Sequence, residues 1–335
     1  MGSAVTAPGK RDSAFPNFRT RTWNYAARRT LAILPVVLAA LTVAFAVIHL
    51  VPGDPVQMML SIGGSVPSPG QEQALRHQLG LDQPLAQQYL SYLWHAVRGD
   101  FGRSIVTGEP VSQVIGAAIP ASAALAGAGF GIAVVLGFAA ALLTTRLRPG
   151  PARTVFDALP VFAMSMPGYW VAILLIQVFS FDLGLFPATG GNGAAGLVLP
   201  AITVALPPAG VIAQVLANAL EAARLEPYVF TAQAKGASPW RVLVRHALRN
   251  AVVPTVTLLG TTVGNLLAAS VVAETVFARQ GLGRLTVTAI TDHDFPVLQG
   301  IVVLLGVVYV LVNLVVDLLH LWVDPRVTMA RRGER

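Results

Sequence analysis

The chain alternates between long uncharged apolar runs and shorter stretches that carry most of its charged residues. An α-helix needs about 20 apolar residues to cross the roughly 30 Å hydrocarbon core of a bilayer. Six runs are long enough to predict such a helix, and the glycine-rich stretch GGNGAAG (190–196) predicts a loop before the fourth of them. The predicted spans are 30–51, one within 110–145, 158–181, 198–220, 251–273 and 297–322.

Composition agrees with an integral membrane protein. Apolar residues make up 54% of the 335 and charged residues only 12%, about half of the charged fraction typical of soluble proteins. The chain has no cysteine, which excludes a disulfide framework, a thiolate metal site and a thiol nucleophile. The net charge of +7 is not by itself an indication of nucleic-acid binding, and no nucleic-acid partner is predicted.

Arginine and lysine are distributed unevenly between the two sides of the predicted membrane. They are retained on the cytoplasmic side of short loops. Only five of the 23 lie between the first two spans or between the last two, namely Arg76, Arg98, Arg103, Arg279 and Arg284. The others lie in the loops 146–153 and 224–249 and in tails over 1–29 and 324–335. The pattern therefore predicts that both termini are cytoplasmic.

An extracytoplasmic segment is predicted over 52–115. Its stretches 71–81 and 84–99 have helical patterns, and the second begins with proline and ends with glycine. The second stretch contains Tyr89, Leu93 and Trp94. These side chains suit the membrane surface, where aromatic residues concentrate, and they suit packing against neighbouring helices equally well in pattern, so both alternatives stay open.

The cytoplasmic loop 224–250 contains the stretch TAQAKGASPWRVLVRHALRN (231–250). Ser238 is a good N-cap and Pro239 suits the first helical position, so a short helix is predicted to begin there. Gly236, just before them, permits a tight backbone turn.

The helix predicted after Ser238 has two different faces. Arg241, Arg245 and Arg249 follow one another at every fourth position, about 40° apart around the helix. The apolar residues predicted to cluster opposite them are Trp240, Leu243, Ala247 and Leu248. Such a helix suits either anionic lipid headgroups or a cytoplasmic protein partner, and periodicity does not separate the two.

Several stretches, in this order along the chain, resemble the permease subunits of bacterial ABC importers for dipeptides, oligopeptides and nickel. The first, YAARRTLAILPVVLAALTVAFAVIHLVPGDPV (25–56), resembles that family's first span and the Pro52, Gly53, Asp54, Pro55 motif that follows it. The others are LRHQLGLDQPLAQQYLSYL (75–93), RGDFGRSI (98–105), LGLFPATG (183–190), ETVFARQGLGRL (274–285) and DPR (324–326).

The resemblance implies a role for the loop. In ABC importers the corresponding loop, known as the EAA loop, places a short helix in a cleft of the ATPase. Phe230 and Gln233 depart from the family pattern, which more often has arginine at positions 230 and 233. The residues implied in ATPase coupling are Thr231, Ala232, Lys235, Gly236, Ser238, Arg241, Arg245, His246 and Arg249.

The resemblance also implies an all-α fold and a set of partners. The fold is a type I ABC importer transmembrane domain of six helices, in which a first helix (30–51) and the extracytoplasmic segment precede a five-helix core over 116–323. No G-x-x-x-x-G-K-[ST] stretch occurs, so ATP and Mg²⁺ are expected in two separate ATPase subunits, and no cofactor is expected on this chain. A second, homologous permease, an extracytoplasmic substrate-binding protein, membrane lipid and a bacterial inner-membrane location complete the expectation.

Few polar residues lie within the predicted spans. Candidates for a translocation pathway are Gln214, Asn218 and Asn265, which flank the coupling loop on the fourth and fifth spans; each is equally suited to a hydrogen bond between helices. Gly127 and Gly131 form a G-x-x-x-G pattern that predicts tight helix packing in the second span.

Two other functional classes are weighed against the importer. An enzyme lacks support, because no H-E-x-x-H, no G-x-S-x-G and no pair of intramembrane aspartates occurs. An ATP-independent secondary transporter or channel is the alternative. Peptides are the expected cargo of the importer, and the sequence does not distinguish among dipeptides, longer peptides, glutathione, nickel and haem.

Overall fold

The computed structural model describes residues 33–50, 69–78, 82–191 and 193–323. Within these ranges the chain is helical and has no strand, apart from one isolated bridge between Arg103 and Pro110. The all-α prediction is therefore confirmed. The predicted tails, and the motif Pro52, Gly53, Asp54 and Pro55, lie outside the described residues.

The described helices are numbered in chain order. Two π-helical turns, Ile176–Asp182 and Val242–Ala247, continue α6 and join α9 to α10. The helices are α1 (Ile33–Leu50), α2 (Pro69–Gln78), α3 (Leu85–Val97), α4 (Val111–Arg146), α5 (Pro151–Ser165), α6 (Gly168–Leu175), α7 (Ala195–Arg224), α8 (Pro227–Ala234), α9 (Pro239–Arg241), α10 (Leu248–Val276), α11 (Leu282–Thr291) and α12 (Phe295–Val323).

Three of the described helices are each long and apolar enough to cross a membrane: α4, α7 and α12. Two bent pairs bring the number to five if each pair is one span: α5 with α6, and the two halves of α10, which meet at 42°. The 18-residue α1 is apolar and covers most of the predicted first span. These helices coincide with the predicted spans, and the total of six remains a prediction.

The third predicted span, 158–181, is wrong as a single helix. The chain bends by 106° between α5 and α6. Met166 is extended, with φ −77° and ψ 130°, because the ring of Pro167 disfavours the helical conformation in the residue before it. Pro167 also lacks the N–H that would continue the hydrogen-bond ladder of α5.

The core is built around α7, which packs against α4 along much of its length. Two glycines of α4 allow this approach, because a Cβ at Gly129 would lie 2.5 Å from Val204 and one at Gly137 2.6 Å from Ile212. The tight packing predicted for Gly127 and Gly131 is not found within the described part of the chain, where a Cβ at either position would meet nothing within 4 Å. They lie two residues from Gly129, which places them about 200° around the helix and away from α7.

The bundle has two ends, which we name the loop end and the far end. The loop end carries residues 225–247 and 147–150, because α4 and α7 both finish there and the Arg153 side chain forms an ion pair with Glu221. The far end carries residues 98–110 and 277–294, where α4 and α12 begin and α10 finishes.

Candidate functional site

The loop at the loop end begins with α8 and turns sharply at Gly236. The Gly236 N–H donates to the Gln233 carbonyl at 2.9 Å, and the Ala237 N–H donates to the Ala232 carbonyl at 3.1 Å. This pair of bonds is a Schellman motif, which closes a helix with a residue in the left-handed conformation. Gly236 has φ +80°, so the tight turn predicted from glycine is confirmed.

A helix restarts directly after the turn, as predicted. The Ser238 Oγ accepts a hydrogen bond from the Arg241 N–H at 3.4 Å, and Pro239 occupies the first helical position. The π-helical turn Val242–Ala247 then runs without interruption into α10. The backbone from Pro239 to Val276 is therefore one helical path from the loop to the far end, bent by 42° between the two halves of α10.

This path is anchored to the bundle by its apolar side. Leu243 and Ala247 are buried in a cluster with Leu216 and Leu220 of α7, and Leu248 packs against the same cluster. Helices packed in this way move together as units.

The prediction that Trp240 joins the apolar side is wrong. Its side chain is 49% exposed, and the guanidinium of Arg146 lies 4.9 Å from its ring centroid. Because α4 ends in Arg146 next to the start of α9, the indole stacks under a cation and remains outside the core.

The basic stripe lies on the exposed side of the same path. Arg241, Arg245 and Arg249 are all exposed. Among the residues that the structure describes, none of these three guanidinium groups forms an ion pair or a hydrogen bond. The stripe therefore presents three unpaired cations at the loop end.

A depression of about 400 Å³ lies between α8 and the π-helical turn. One wall is held by a hydrogen bond of 3.0 Å from the Asn250 amide to the Tyr228 hydroxyl. Four of the predicted loop residues, Thr231, Ala232, Lys235 and His246, line it together with Tyr228 and Ala237. The depression is open to the surface.

The pathway candidates do not form one cluster. Gln214 is half-buried and Asn218 exposed on α7, and both lie near Leu216, which packs against the π-helical turn at the loop end. Asn265 is exposed on α10 beside Leu266, which packs against the first half of α7. The two groups therefore lie at different depths in the bundle, contrary to the expectation that all three flank the loop.

Sequence reasoning missed a buried carboxylate at the far end. Glu274 is fully buried at the end of α10. Its Oε1 accepts a hydrogen bond from the Ser122 Oγ at 2.6 Å, and its Oε2 accepts from the N–H groups of Gly283 at 2.7 Å and Arg284 at 3.2 Å. The first turn of α11 thus supplies donors and a favourable dipole for the charge, and α4, α10 and α11 are joined at one point.

A second buried carboxylate, Asp294, lies close to the start of α12. It accepts hydrogen bonds from the Ser104 Oγ, from the Ile105 N–H at 3.2 Å and from the Val297 N–H at 3.5 Å. It therefore caps α12 and fixes the residues that precede α4. An aspartate directly before a helix that begins Phe-Pro is an N-cap signal that the sequence already contained.

Comparison with known proteins agrees with this architecture. Residues 133–329 match the family described as binding-protein-dependent transport system inner membrane component, and residues 23–126 match the N-terminal family of the same membrane components. The glutathione transport system permease protein GsiC of Salmonella choleraesuis is 36% identical over 304 residues, which cover 91% of this chain and 98% of that protein. The Escherichia coli K12 protein of the same name is 35% identical with the same coverage.

The fold also has a solved counterpart. The structure of inward-facing conformations of the MetNI methionine ABC transporter contains a chain that superposes with a TM-score of 0.54 at 19% identity, covering 63% of this chain and 97% of that chain. At this identity the likeness concerns the fold alone, which is that of a type I ABC importer permease. The chain belongs to the family of inner membrane components of binding-protein-dependent transport systems.

Proposed function

We propose that this permease subunit carries peptides across the bacterial inner membrane, driven by separate ATPase subunits that dock on residues 228–250. The importer class itself follows from family membership, which favours it over an ATP-independent secondary transporter or channel. The peptide class is supported by the GsiC proteins, whose named cargo, glutathione, is a tripeptide.

The observation that carries the coupling proposal is the helical path from Pro239 to Val276. The Schellman turn and the Ser238 cap fix where the path starts, and Leu243 and Ala247 fix it against α7. A push on the depression beside α8 is therefore passed to α7 and α10 together. ATP and Mg²⁺ belong to the ATPases in this mechanism, and the chain supplies the lever.

The basic stripe determines how the ATPase is held. Three unpaired, exposed cations at Arg241, Arg245 and Arg249 attract acidic groups of a partner and steer its approach. Lipid phosphates are the competing anions, since basic helices beside membrane spans also bind headgroups. Docking of the ATPase is favoured because the depression lined by Thr231 and Lys235 opens beside the stripe.

Sidedness follows in this proposal from the same loop. The loop end is cytoplasmic, as are both chain termini, and the far end faces the substrate-binding protein. At the far end Arg279 and Arg284 are held by backbone carbonyls, those of Gly196 at 2.9 Å and Ala278 at 2.7 Å. The two guanidinium groups thus hold the backbone that follows α10 in place.

The segment 52–115 guides the binding protein in this proposal, and a second, homologous permease completes the pore. Deleting residues 66–83 is expected to impair stimulation by the binding protein more than basal ATP hydrolysis. Equal loss of basal and stimulated hydrolysis would contradict the role given to segment 52–115.

Gln214, Asn218 and Asn265 are the polar contacts proposed for the pathway, at two depths.

The test of cargo class is uptake into proteoliposomes that contain the complete complex and its binding protein. Dipeptides, longer peptides, glutathione, nickel and haem are offered one at a time, with ATP and with a non-hydrolysable analogue. ATP-dependent uptake confined to peptides is expected. ATP-dependent uptake of nickel or haem without peptides would contradict the cargo class, and peptide uptake without ATP hydrolysis would contradict coupling.

A further inference from the structure

The helix α3 has three distinct sides, and only one of them packs against other residues that the structure describes. That side lies against α1. The Tyr89 hydroxyl is 2.7 Å from the Thr42 Oγ1, and the rings of Phe45 and Tyr89 meet edge to face at 5.2 Å. Tyr92, Leu93 and Ala96 pack on the same side, around Leu41, Ala44 and Val303.

The second side of α3 is an exposed apolar strip. Leu90 is 65% exposed, Trp94 59% and Val97 79%. Their spacing of four and three residues places them in one line along the helix. Among the described residues, no hydrophobic cluster includes any of these three side chains.

The third side of α3 is polar. Gln87, Ser91 and His95 are exposed and follow one another at every fourth position. At about 100° per residue, Ser91 lies about 100° around the helix from Leu90. The helix therefore has one side packed against α1, one exposed apolar side and one exposed polar side.

We propose that α3 lies along the membrane surface, with Leu90, Trp94 and Val97 inserted among lipids and with Gln87, Ser91 and His95 in water. A helix with this division lies in the plane of the headgroup region. The packed side meets α1, whose exposed apolar residues Val36, Leu38 and Val43 belong to the surface that a membrane helix presents to lipid.

The pairing of Arg98 with Trp94 supports lipid as the occupant. The guanidinium lies 4.2 Å from the indole ring centroid. Tryptophan concentrates at the membrane interface, and an arginine beside it is placed to meet lipid phosphate. This assignment concerns the surface of the importer and does not depend on its cargo or on its ATPase contacts.

The absence of cysteine from the chain allows a direct test with single spin labels. Leu90→Cys and Ser91→Cys are a matched pair of neighbouring, exposed positions on the apolar and polar sides of α3. Each full-length variant is labelled with a nitroxide and reconstituted in liposomes of phosphatidylethanolamine and phosphatidylglycerol. Accessibility to oxygen, which concentrates in lipid, is compared with accessibility to a water-soluble nickel chelate.

At Leu90 the ratio of oxygen to nickel accessibility is expected to exceed that at Ser91, with oxygen dominant at the first and nickel at the second. Nickel dominant at both positions would overturn the proposal. So would a Leu90 label that is shielded from oxygen and becomes immobilised when the binding protein is added, because the occupant would then be protein. Val97→Cys, about two turns beyond Leu90, and His95→Cys, about one turn beyond Ser91, repeat the comparison and provide the result if the first pair is poorly inserted.

Discussion

Replacing Gly281 with alanine tests the packing around Glu274, the buried carboxylate that joins α4, α10 and α11 at the far end. A Cβ at this position would approach both the carboxyl carbon and the two oxygens of Glu274 more closely than 3.0 Å. The carboxylate is fully buried and hydrogen-bonded to α4 and α11, so displacing it disturbs those hydrogen bonds. Either the carboxylate or the start of α11 must therefore move.

The expected cost follows from the hydrogen bonds that this movement breaks. Glu274 accepts two N–H groups from the first turn of α11. Hydrogen bonds to charged groups contribute about 1.5–3 kcal/mol each, so losing both lowers the free energy of unfolding by about 3–6 kcal/mol. A change of this size reduces the amount of folded protein recovered from membranes.

Thermal unfolding of the detergent-purified variant measures the effect. Gly131→Ala is the matched control, because a Cβ there meets nothing within 4 Å and alanine is favoured in helix interiors by about 0.5–1 kcal/mol. The substitution Gly281→Ala is also made in a Glu274→Ala background, where the obstructing carboxylate is gone. There it is expected to cost less than about 1 kcal/mol, a clear departure from additivity.

Two results would refute this reasoning. One is a Gly281→Ala protein as stable as the Gly131→Ala control. The other is full additivity of Gly281→Ala and Glu274→Ala, since contact between the two positions requires that their effects be coupled.

Three further predictions concern other parts of the molecule. Gly236→Val forces a β-branched residue into the left-handed turn, at a cost of about 1–2 kcal/mol. Transport and its coupling to ATP hydrolysis should fall while membrane insertion stays normal, and unchanged stimulated transport would contradict the proposal that the loop passes ATPase motion to α7 and α10. Arg245→Glu combined with Arg249→Glu should release the ATPase from the detergent-purified complex, whereas stoichiometric retention would favour lipid as the partner of the stripe. Burial raises the pKa of Tyr92 from 10.0 to about 12, and the neighbouring Tyr89 contributes a smaller part of this rise. Because the unfolded chain ionises first, the free energy of unfolding should fall as pH rises from 10 to about 12, and Tyr92→Phe should reduce that fall.

The features predicted correctly from the sequence depend on neighbours in the chain. Apolar runs located the long helices, because the length needed to cross a bilayer is fixed by the lipid. The Ser238 cap and the Gly236 turn are local as well, since each is completed by bonds within a few residues. Such features can be predicted without knowing what packs against them.

The break between α5 and α6 was also signalled locally, by Pro167 followed by Gly168. The run 158–181 contains no charge, so its length and apolarity alone predict an unbroken span. In a membrane helix the neighbouring helices decide whether a proline kinks or breaks the chain. A bend as large as 106° therefore depends on tertiary packing.

The long-range partners of the two buried carboxylates required the three-dimensional structure. Glu274 meets Ser122 across 152 positions of the chain, and Asp294 meets Ser104 across 190. No periodicity brings such residues together. The surroundings of Trp240 and of the pair Gly127 and Gly131 likewise depend on tertiary structure, because the sequence does not show where α4 ends or which side of it meets α7.

Cysteine cross-linking from the loop tests the central claim most directly. Lys235→Cys, at the depression beside α8, and Glu109→Cys, at the far end, are each introduced singly into the cysteine-free chain. Each thiol is alkylated with a benzophenone maleimide, the chain is assembled with the other subunits, and irradiation inserts the benzophenone carbonyl into a nearby C–H bond. The account predicts a covalent adduct between the ATPase and the Lys235→Cys protein, and none with the Glu109→Cys protein. An intact, transporting complex in which Lys235→Cys forms no adduct, or in which Glu109→Cys forms it instead, would contradict the account.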